Sequence, residues 1–293
     1  MFKSGFVTIL GKPNVGKSTL LNSIVKSKLS IATPRPQTTR DNIIGILNDK
    51  NYQIVFVDTP GLLSAKTKLD HYMKNNIKNA LEGVDVVLYM LDFKDQIEEE
   101  DIRNIEKFSK MMNGKVIVLV NKMDLSNRDD IYKKLSKLNN LQDVSDIIPI
   151  SSTKNKNTDI MLKSILKLLP EGPKYYPENS YTDKTEKYLV SELIREKTLL
   201  YLHEEIPHGI AVKIEKFKNE DSIIEIGALI ICSKASHKNI IIGKKGLMLK
   251  DIATSSRKAI ERLLDSKVYL SIWVKVDENW RDSNERLTTL GYK

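Results

Sequence analysis

The sequence predicts an α/β protein of two domains, in which a domain with a mainly parallel sheet is followed by a smaller α+β domain. Three observations predict this architecture. A glycine-rich loop at residues 11–18 joins an apolar run to a helical stretch, and the apolar runs at 84–91 and 115–120 alternate with helical patterns. The last third of the chain follows the order α-β-β-α-α-β. A chain of 293 residues also exceeds what one hydrophobic core usually supports.

The composition is that of a soluble globular protein, with 41% hydrophobic and 29% charged residues. Apolar stretches are too short to span a membrane and the N-terminus has no signal-peptide pattern, so we expect a cytoplasmic protein. The net charge of +9 favours an acidic partner, either nucleic acid or an anionic membrane surface. The single cysteine, Cys232, excludes an internal disulfide, and its apolar neighbours predict a buried thiol.

Residues 11–18 fit the phosphate-loop pattern G-x-x-x-x-G-K-S/T. The two glycines let backbone N–H groups point inward, and the helix that follows adds its own unpaired N–H groups. Lys17 is placed to reach the β- and γ-phosphates, and Ser18 to bind Mg²⁺. The nucleotide contacts predicted here are Gly11, Lys12, Pro13, Asn14, Val15, Gly16, Lys17, Ser18 and Thr19.

Two further motifs point to the γ-phosphate. The stretch 29–42 contains two prolines and predicts a long loop, in which a threonine can place its hydroxyl on Mg²⁺. We assign Thr38 and Thr39 as nucleotide contacts and Thr39 as a Mg²⁺ ligand; the alternative is a turn or helix-cap hydroxyl. Strands at 42–47 and 53–57 form a predicted hairpin that ends at Asp58, which holds Mg²⁺ through water. The predicted nucleotide contacts of this turn are Asp58, Thr59, Pro60 and Gly61, with the Gly61 N–H aimed at the γ-phosphate.

The strand at 115–120 leads into Asn121, Lys122 and Asp124, which fit the pattern N-K-x-D. A carboxylate at Asp124 can accept from both N1–H and the 2-amino group of guanine, a pair of donors that adenine lacks. The motif therefore predicts GTP rather than ATP. The last strand, 147–150, leads to three residues whose backbone faces the guanine O6: Ser151, Ser152 and Thr153.

Together these motifs resemble a P-loop GTPase domain of the translation-factor-related, Ras-like class. The resemblance implies hydrolysis of GTP to GDP and phosphate, with Lys17, Thr39 and Gly61 as the catalytic groups. Leu62 stands where Ras-like proteins carry the glutamine that orients water, so we expect slow intrinsic hydrolysis. Asn14 resembles the asparagine that coordinates K⁺ in potassium-activated relatives, which implies K⁺ stimulation.

The stretch 170–182 contains three prolines and a glycine and predicts an extended linker between a domain at 1–169 and one at 183–293. In the second domain the patterns predict a helix at 185–203, strands at 210–217 and 222–232, a helix at 247–264 and a strand at 268–274. Trp273 and Trp280 are expected to be packing residues.

A G-x-x-G loop, Gly243 to Gly246, lies between the two adjacent helices of the predicted order α-β-β-α-α-β. From Lys234 to Lys250 there are five lysines and no acidic residue. Glycines let a nucleic-acid backbone approach closely, lysines pair with phosphates, and the apolar Ile240–Ile242 and Leu247 form a floor for bases. A helix-turn-helix linker with solvated lysines is the alternative. The predicted RNA contacts are Lys238, Ile242, Gly243, Lys244, Lys245, Gly246 and Lys250.

This second half resembles a type II K-homology domain, and the two halves together resemble the Era family over nearly the whole chain. The family resemblance implies a monomeric GTPase that binds the 3′ end of 16S ribosomal RNA and assists small-subunit maturation. It also implies peripheral contact with the inner membrane surface. Two alternatives stay open: an RNA-binding scaffold whose nucleotide site is structural and barely turns over, and a small-molecule kinase built on the same phosphate loop.

Overall fold

The computed structural model describes residues 1–35, 37–62, 64–141, 143–202, 206–220 and 222–292, without the side chains of Arg128, Pro207 and His208. The chain forms two compact units. The first unit comprises residues 1–32, 39–63 and 74–183, and the second comprises 33–38, 64–73 and 184–293. Two short stretches from the first half of the sequence therefore belong to the second unit.

The first unit is built on a six-stranded sheet with the order β2-β3-β1-β4-β5-β6, in which β2 is antiparallel to β3 and the other pairs are parallel. Every residue of β4 and β5 is buried, which confirms that these apolar runs are central strands. The strands are β1 (Lys3–Gly11), β2 (Ile43–Asn48), β3 (Tyr52–Asp58), β4 (Val86–Asp92), β5 (Val116–Asn121) and β6 (Asp146–Pro149).

Helices cover this sheet and complete its core. Tyr89 of β4 packs in one cluster with Ile105 and Phe108, because alternate residues of a strand point to opposite faces. Glu98 and Asp101 form a capping box, which stabilises the start of the helix at Glu99. The helices are α1 (Lys17–Val25), α2 (Lys68–Asn79), α3 (Glu99–Met111), α4 (Arg128–Leu138) and α5 (Thr158–Leu168).

The predicted linker, residues 170–182, packs on the first unit. The Gln53 side-chain oxygen accepts hydrogen bonds from the backbone N–H groups of Tyr175 (2.7 Å) and Tyr176 (3.0 Å). The Ile46 N–H donates to the carbonyl of Tyr181 at 3.0 Å. The ring of Tyr175 lies 4.9 Å from that of Phe6. Prolines keep this segment extended, and side chains far away in sequence hold it in place.

The second unit has a three-stranded sheet of order β7-β8-β9, in which β7 and β8 are antiparallel and β8 and β9 are parallel. The predicted order α-β-β-α-α-β is confirmed; the helix end predicted at His203 lies outside the described residues, and so does Asp221 between the two predicted strands. A short helix, α9, follows. The elements are α6 (Glu186–Tyr201), β7 (Ile210–Glu220), β8 (Ile223–Cys232), α7 (Ala235–Ile242), α8 (Leu247–Leu264), β9 (Val268–Val276) and α9 (Asn284–Thr289).

The two tryptophans and the cysteine of this unit differ in burial. Trp280 is fully buried and its indole N–H donates to the carbonyl of Gly209 at 3.2 Å, as a packing residue should. Trp273 is 56% exposed, so the packing prediction is wrong for it. The reason is strand parity, because Trp273 points away from the face of β9 that joins the core. Cys232 is buried, and this burial raises the pKa of its thiol.

Within the described part of the chain, no helix is both long and apolar enough to cross a membrane.

Candidate guanine-nucleotide site and RNA-binding loop

The phosphate loop lies between the end of β1 at Gly11 and the start of α1 at Lys17. Gly16 has φ 106°, and a Cβ placed on it would lie 2.2 Å from Nδ2 of Asn121. Only glycine therefore fits there. Because Gly16 also occupies the N-cap position of α1, no side chain covers the first N–H groups of the helix, which are the donors that a phosphate needs.

Lys17 lies inside this loop. Its ammonium donates to the carbonyls of Gly11 (3.1 Å) and Lys12 (2.9 Å), and the residue is only 6% exposed. Burial lowers the pKa of Lys17 to about 8, while the nearby carboxylate of Asp58 opposes this effect. The loop thus fixes one cation, mostly removed from water, among inward-facing backbone groups.

Three oxygen-bearing side chains meet next to Lys17. The Ser18 hydroxyl donates to Oδ2 of Asp58 at 2.6 Å and lies 2.9 Å from the hydroxyl of Thr39. Thr39 lies 3.5 Å from the same carboxylate oxygen. Burial raises the pKa of Asp58, against the effects of Lys17 and of hydroxyl donors.

This group fits a magnesium ion. The second carboxylate oxygen of Asp58, Oδ1, is buried and has no hydrogen-bond partner among the residues that the structure describes. A buried oxygen of this kind is normally satisfied, and an ion or its water can satisfy it. Hydroxyl and carboxylate oxygens are the donors that Mg²⁺ prefers.

Thr38 and Thr39 are adjacent in sequence but engage different parts of the molecule. The Thr38 hydroxyl donates to the carbonyl of Arg35 at 2.6 Å and lies 2.7 Å from the hydroxyl of Thr33, within the second unit. The Thr38 carbonyl accepts a hydrogen bond from the buried guanidinium of Arg195. Only Thr39 places its side chain with Ser18 and Asp58.

Ser30 joins the oxygen-bearing side chains around Asp58 and was missed by sequence reasoning. Its hydroxyl donates to Oδ2 of Asp58 at 2.8 Å. The side-chain oxygen of Asn22 accepts from the N–H groups of Leu29 (2.9 Å) and Ser30 (3.0 Å) and so fixes this stretch. Ser30 belongs to no motif, and a lone serine after a helix gives no signal of such a contact.

Asn121 connects the three loops of the site. Its amide donates to the carbonyl of Val15 at 2.8 Å, and its side-chain oxygen accepts from both the N–H (3.0 Å) and the hydroxyl (2.9 Å) of Ser152. The hydroxyl of Ser151 donates to Asp124 at 2.5 Å, which orients the carboxylate predicted to bind guanine.

Two more contacts join the base-binding and phosphate-binding segments. The ammonium of Lys122 donates to the Asn14 carbonyl at 2.9 Å and forms an ion pair with Asp92. Thr153 is exposed, with its hydroxyl 3.3 Å from that of Ser151.

The turn at Asp58 to Gly61 runs against the phosphate loop. A Cβ on Gly61 would lie 2.8 Å from the backbone nitrogen of Pro13, so the close approach requires glycine. The Thr59 hydroxyl donates to the carbonyl of Ile9 at 2.7 Å, which fixes the turn against β1. Leu62 packs against the core of the first unit and carries no polar group that could orient a water molecule.

The predicted RNA loop lies in the second unit, where α7 ends and α8 begins. Gly243 and Gly246 have φ 72° and 76°, and a Cβ on Gly246 would have no heavy atom within 4 Å. The loop is therefore open to an approaching backbone. Among the predicted contacts, Lys244, Lys245 and Lys250 are exposed, whereas Lys238 and Ile242 are half-buried.

The predicted apolar floor beside this loop needs a correction. Ile241 is fully buried and belongs to the core of the second unit, because it lies on the inner side of α7. Ile240 and Leu247 are 49% and 57% exposed, so these two side chains provide the accessible apolar surface.

Comparisons with known proteins agree with this geometry. The sequence model of the 50S ribosome-binding GTPase family matches residues 6–122, and that of the KH domain matches residues 205–281. The chain is 50% identical to GTPase Era of Clostridium tetani and 48% identical to GTPase Era of Clostridium kluyveri, over all of this chain and all of each relative.

The fold is also that of solved relatives. The crystal structure of Era in complex with MgGDPNP and nucleotides 1506–1542 of 16S ribosomal RNA has a TM-score of 0.95 and 39% identity, covering all of this chain and 99% of its own. A crystal structure of Aquifex aeolicus Era bound to GDP and AlF₄⁻ gives the same score and identity, covering 99% of both chains. Full-length similarity to proteins of this name, at this identity, means that the chain belongs to the Era family of GTPases.

Proposed function

We propose that this chain hydrolyses GTP to GDP and phosphate as a switch that binds the 3′ end of 16S ribosomal RNA, and that it assists assembly of the small ribosomal subunit. The observation that carries the switch concerns the peptide between Thr38 and Thr39. The carbonyl of Thr38 contacts one set of residues, and the hydroxyl of Thr39 contacts another. The RNA assignment is supported by the Era relative that holds nucleotides 1506–1542 of 16S ribosomal RNA, and by the open loop at 243–246.

The phosphate loop and Lys17 hold the triphosphate and stabilise the charge that develops on the γ-phosphate oxygens during attack by water. Ser18, Thr39 and Asp58 would hold Mg²⁺, which would supply positive charge to the triphosphate. The Gly61 N–H is in reach of the γ-phosphate because its turn lies against Pro13. Leu62 offers no group to orient water, so intrinsic hydrolysis is slow.

The same site reports its nucleotide state through Thr39. The Thr39 hydroxyl lies beside Ser18 and Asp58. Bound GTP and Mg²⁺ would hold it there and so fix the peptide that joins Thr38 to Thr39. The Thr38 carbonyl of that peptide accepts from Arg195, which is 1% exposed and paired with Glu192 on the same helix. Arg35 adds a second contact of this kind, donating to the carbonyl of Leu202 at 2.8 Å.

These contacts explain how one phosphate group can influence RNA binding. Loss of the γ-phosphate releases Thr39 and leaves the peptide before it less constrained. The hydrogen bond from Arg195 then holds a loop that has lost one of its two attachments. RNA affinity falls because the ordered loop no longer stabilises the state that binds RNA.

The experiment measures binding of a labelled, pyrimidine-rich single-stranded RNA of a dozen nucleotides, with GDP·Mg²⁺ and with a non-hydrolysable GTP analogue and Mg²⁺. We expect wild type to bind at least about fivefold tighter with the analogue. Gly246→Asp removes the tighter binding seen with the analogue, because it adds a negative charge and a side chain at φ 76° in the loop. Binding that ignores both the nucleotide and this substitution would reject the switch and the RNA loop together.

Arg195→Ala tests the proposed connection alone. We expect the ratio of the RNA affinities in the two nucleotide states to approach one, while GTP hydrolysis without RNA stays within about threefold of wild type. Arg257→Ala is the matched control, since Arg257 also pairs with a glutamate on its own helix, at 2.8 Å from Glu261. Arg195→Lys keeps the charge and controls for folding. An unchanged ratio in a folded Arg195→Ala protein contradicts this route.

Two finer properties are part of the proposal. K⁺ stimulates hydrolysis through Asn14, and this is supported by its place in the phosphate loop next to the Lys122 contact. Turnover in K⁺ against Na⁺, for wild type and Asn14→Asp, tests this point. Multiple turnovers with GTP alone also separate the enzyme from a structural nucleotide site, and release of free phosphate without an acceptor separates it from a kinase.

The location of the protein is proposed from the family resemblance and the net charge of +9. We propose a cytoplasmic monomer with peripheral contact to the inner membrane surface. Co-flotation with vesicles that contain anionic lipids, compared with neutral vesicles, tests the membrane contact, and sedimentation tests the monomer.

A further inference from the structure

Among the described residues of the second unit, the hydrophobic core joins its helices to one face of the three-stranded sheet. In β9, the residues Leu270, Ile272 and Val274 point toward the helices and join the hydrophobic core. The alternate residues Tyr269, Ser271 and Trp273 therefore point away from it. Tyr269 is 58% exposed and Trp273 is 56% exposed, so two large aromatic side chains stand on this outer face.

Strand register places other side chains of the outer face in rows. Lys213 of β7 pairs with Leu229 of β8, which pairs with Trp273 of β9. One row along the strands, Gly227 lies beside Ser271, and a Cβ on Gly227 would lie only 3.4 Å from Cζ3 of Trp273. The glycine thus leaves space for the indole to lie against the sheet, with more than half of its surface open to solvent.

The charge around Trp273 is basic. Lys213 lies in the same row, and the exposed Lys275 is the next outward residue of β9, a strand with no acidic residue. Lys216 is neutralised by an ion pair with Glu225 at 2.5 Å, and Glu215 is exposed at the bulge of β7. Lys275 thus lies two residues from the indole on the same strand, and Lys213 lies two strands away in the same row. Glu225, the cross-strand neighbour of Tyr269, is the residue paired with Lys216.

We infer that this outer face is a second RNA-binding surface, on which Trp273 and Tyr269 stack with unpaired bases while Lys213 and Lys275 contact phosphates. Aromatic rings flanked by lysines are the elements with which proteins bind single strands without sequence preference. The two rings are four residues apart on one strand, or about 13 Å, so they contact different bases of one extended strand. The core of a protein interface is depleted of charge, whereas lysines lie inside this surface.

This surface is separate from the loop at 243–246. That loop joins α7 and α8, which pack on the inner face of the sheet, whereas Trp273 stands on the outer face. An RNA long enough to pass around the domain, or a second segment of the same RNA, would occupy both. The inference goes beyond the proposed function and does not depend on the nucleotide state.

The experiment follows tryptophan fluorescence during titration with a single-stranded, pyrimidine-rich RNA of about two dozen nucleotides. The chain has only two tryptophans and Trp280 is buried, so the difference between wild type and Trp273→Phe isolates the signal of Trp273. Stacking with a base quenches this signal. We expect saturable quenching in wild type and also in Gly246→Asp, and about tenfold weaker RNA binding for Trp273→Ala in the Gly246→Asp background.

Tyr132→Ala is the matched control, because Tyr132 is an aromatic residue of the first unit that is 79% exposed. It should leave RNA affinity unchanged. If Trp273 fluorescence does not change at saturating RNA, or if Trp273→Ala binds RNA as wild type does, the inference is wrong and a protein partner becomes the better explanation. If Gly246→Asp leaves RNA affinity unchanged while Trp273 is still quenched, the result supports this surface and rejects the RNA loop of the proposed function. Failure of the inference and failure of the proposed function are therefore distinguishable.

Discussion

Two loops of this chain combine glycines with lysine at the start of a helix, and they differ in almost every physical respect. In the loop at 11–18, Lys17 is 6% exposed and its ammonium is held by two backbone carbonyls. In the loop at 243–246, Lys244 and Lys245 are exposed and a Cβ on Gly246 would meet nothing within 4 Å.

This contrast explains how similar residues serve opposite kinds of binding. The nucleotide contacts proposed for the buried loop use fixed donors in a site removed from water, so each contact should be strong and geometrically selective. The RNA contacts proposed for the exposed loop rest mainly on charge in water, which salt screens and which does not depend on base sequence. We expect substitutions in the first loop to have large, nucleotide-specific effects and those in the second to have smaller, salt-dependent ones.

Lys17→Ala should give the largest effect. We expect GTP hydrolysis at saturating GTP to fall roughly a thousandfold, since the ammonium that stabilises the transition-state charge is lost. Phosphate release measures this directly. Lys245→Ala, the control from the exposed loop, should stay within about twofold. A loss of less than tenfold in Lys17→Ala would contradict the role assigned to this side chain.

Asp124→Asn should change the base rather than the chemistry. An amide in place of the carboxylate leaves the two guanine donors without their charged acceptor, which costs about 3 kcal/mol of binding free energy. GTP affinity should therefore fall roughly a hundredfold. Xanthine carries a carbonyl at the position of the 2-amino group, and the Asn amide can donate to it. We expect hydrolysis of XTP to exceed that of GTP. Equal use of GTP by wild type and variant in competition assays would rule out the assignment.

Replacing both Lys244 and Lys245 by alanine should lower RNA affinity about tenfold at low salt. The slope of log K against log salt should become shallower by about 1.4, the value for two phosphate contacts on a single strand. Titrations at several KCl concentrations measure the slope. Lys163→Ala with Lys167→Ala removes two exposed lysines from α5 and should leave the slope unchanged. Identical slopes in both double variants would mean that the loop does not contact phosphates.

Ser30→Ala should give the smallest effect of the series, since it removes one of several hydrogen bonds to Asp58. We expect a loss of about 1 kcal/mol in the free energy of unfolding and less than a tenfold change in hydrolysis. Denaturant unfolding measures the first quantity. Ser136→Ala is the matched control and should cost almost nothing, because Ser136 is exposed on α4 and its hydroxyl donates only to the carbonyl of Lys133 on the same helix. A thousandfold loss of activity in Ser30→Ala would show a direct catalytic role instead.

Much of the nucleotide site could be predicted because its residues stand in short, contiguous motifs that follow buried strands. Parallel strands bring the ends of β1, β3 and β5 to one edge, so Lys17, Asp58 and Asn121 meet there once the strand order is formed. Ser30 could not be predicted, because its contact with Asp58 depends on how Asn22 folds the intervening chain. That information is absent from any local pattern.

In the second unit, the strand and helix boundaries followed from periodicity, but the outer face was misjudged. Hydrophobicity alone suggested that Trp273 packs inside. Trp273 has an odd number, as Ser271 and Lys275 have, whereas the core residues Leu270 and Ile272 have even numbers. Since alternate residues of a strand point to opposite faces, the sequence itself placed Trp273 on the outer face. The segment at 170–182 likewise has the composition of a free spacer, yet Gln53 binds it from more than a hundred residues away.

The single thiol of this chain can be used to measure local opening of the second unit. Cys232 ends the central strand β8 and is fully buried, so an alkylating reagent reaches its sulfur only when that strand separates from its neighbours. Because no other cysteine competes for the reagent, the labelling rate of the native protein measures the opening of one unit without interference from the other. Mass spectrometry of timed alkylation, with and without RNA, would then give the stabilisation of the RNA-binding unit by its ligand as a ratio of two rates.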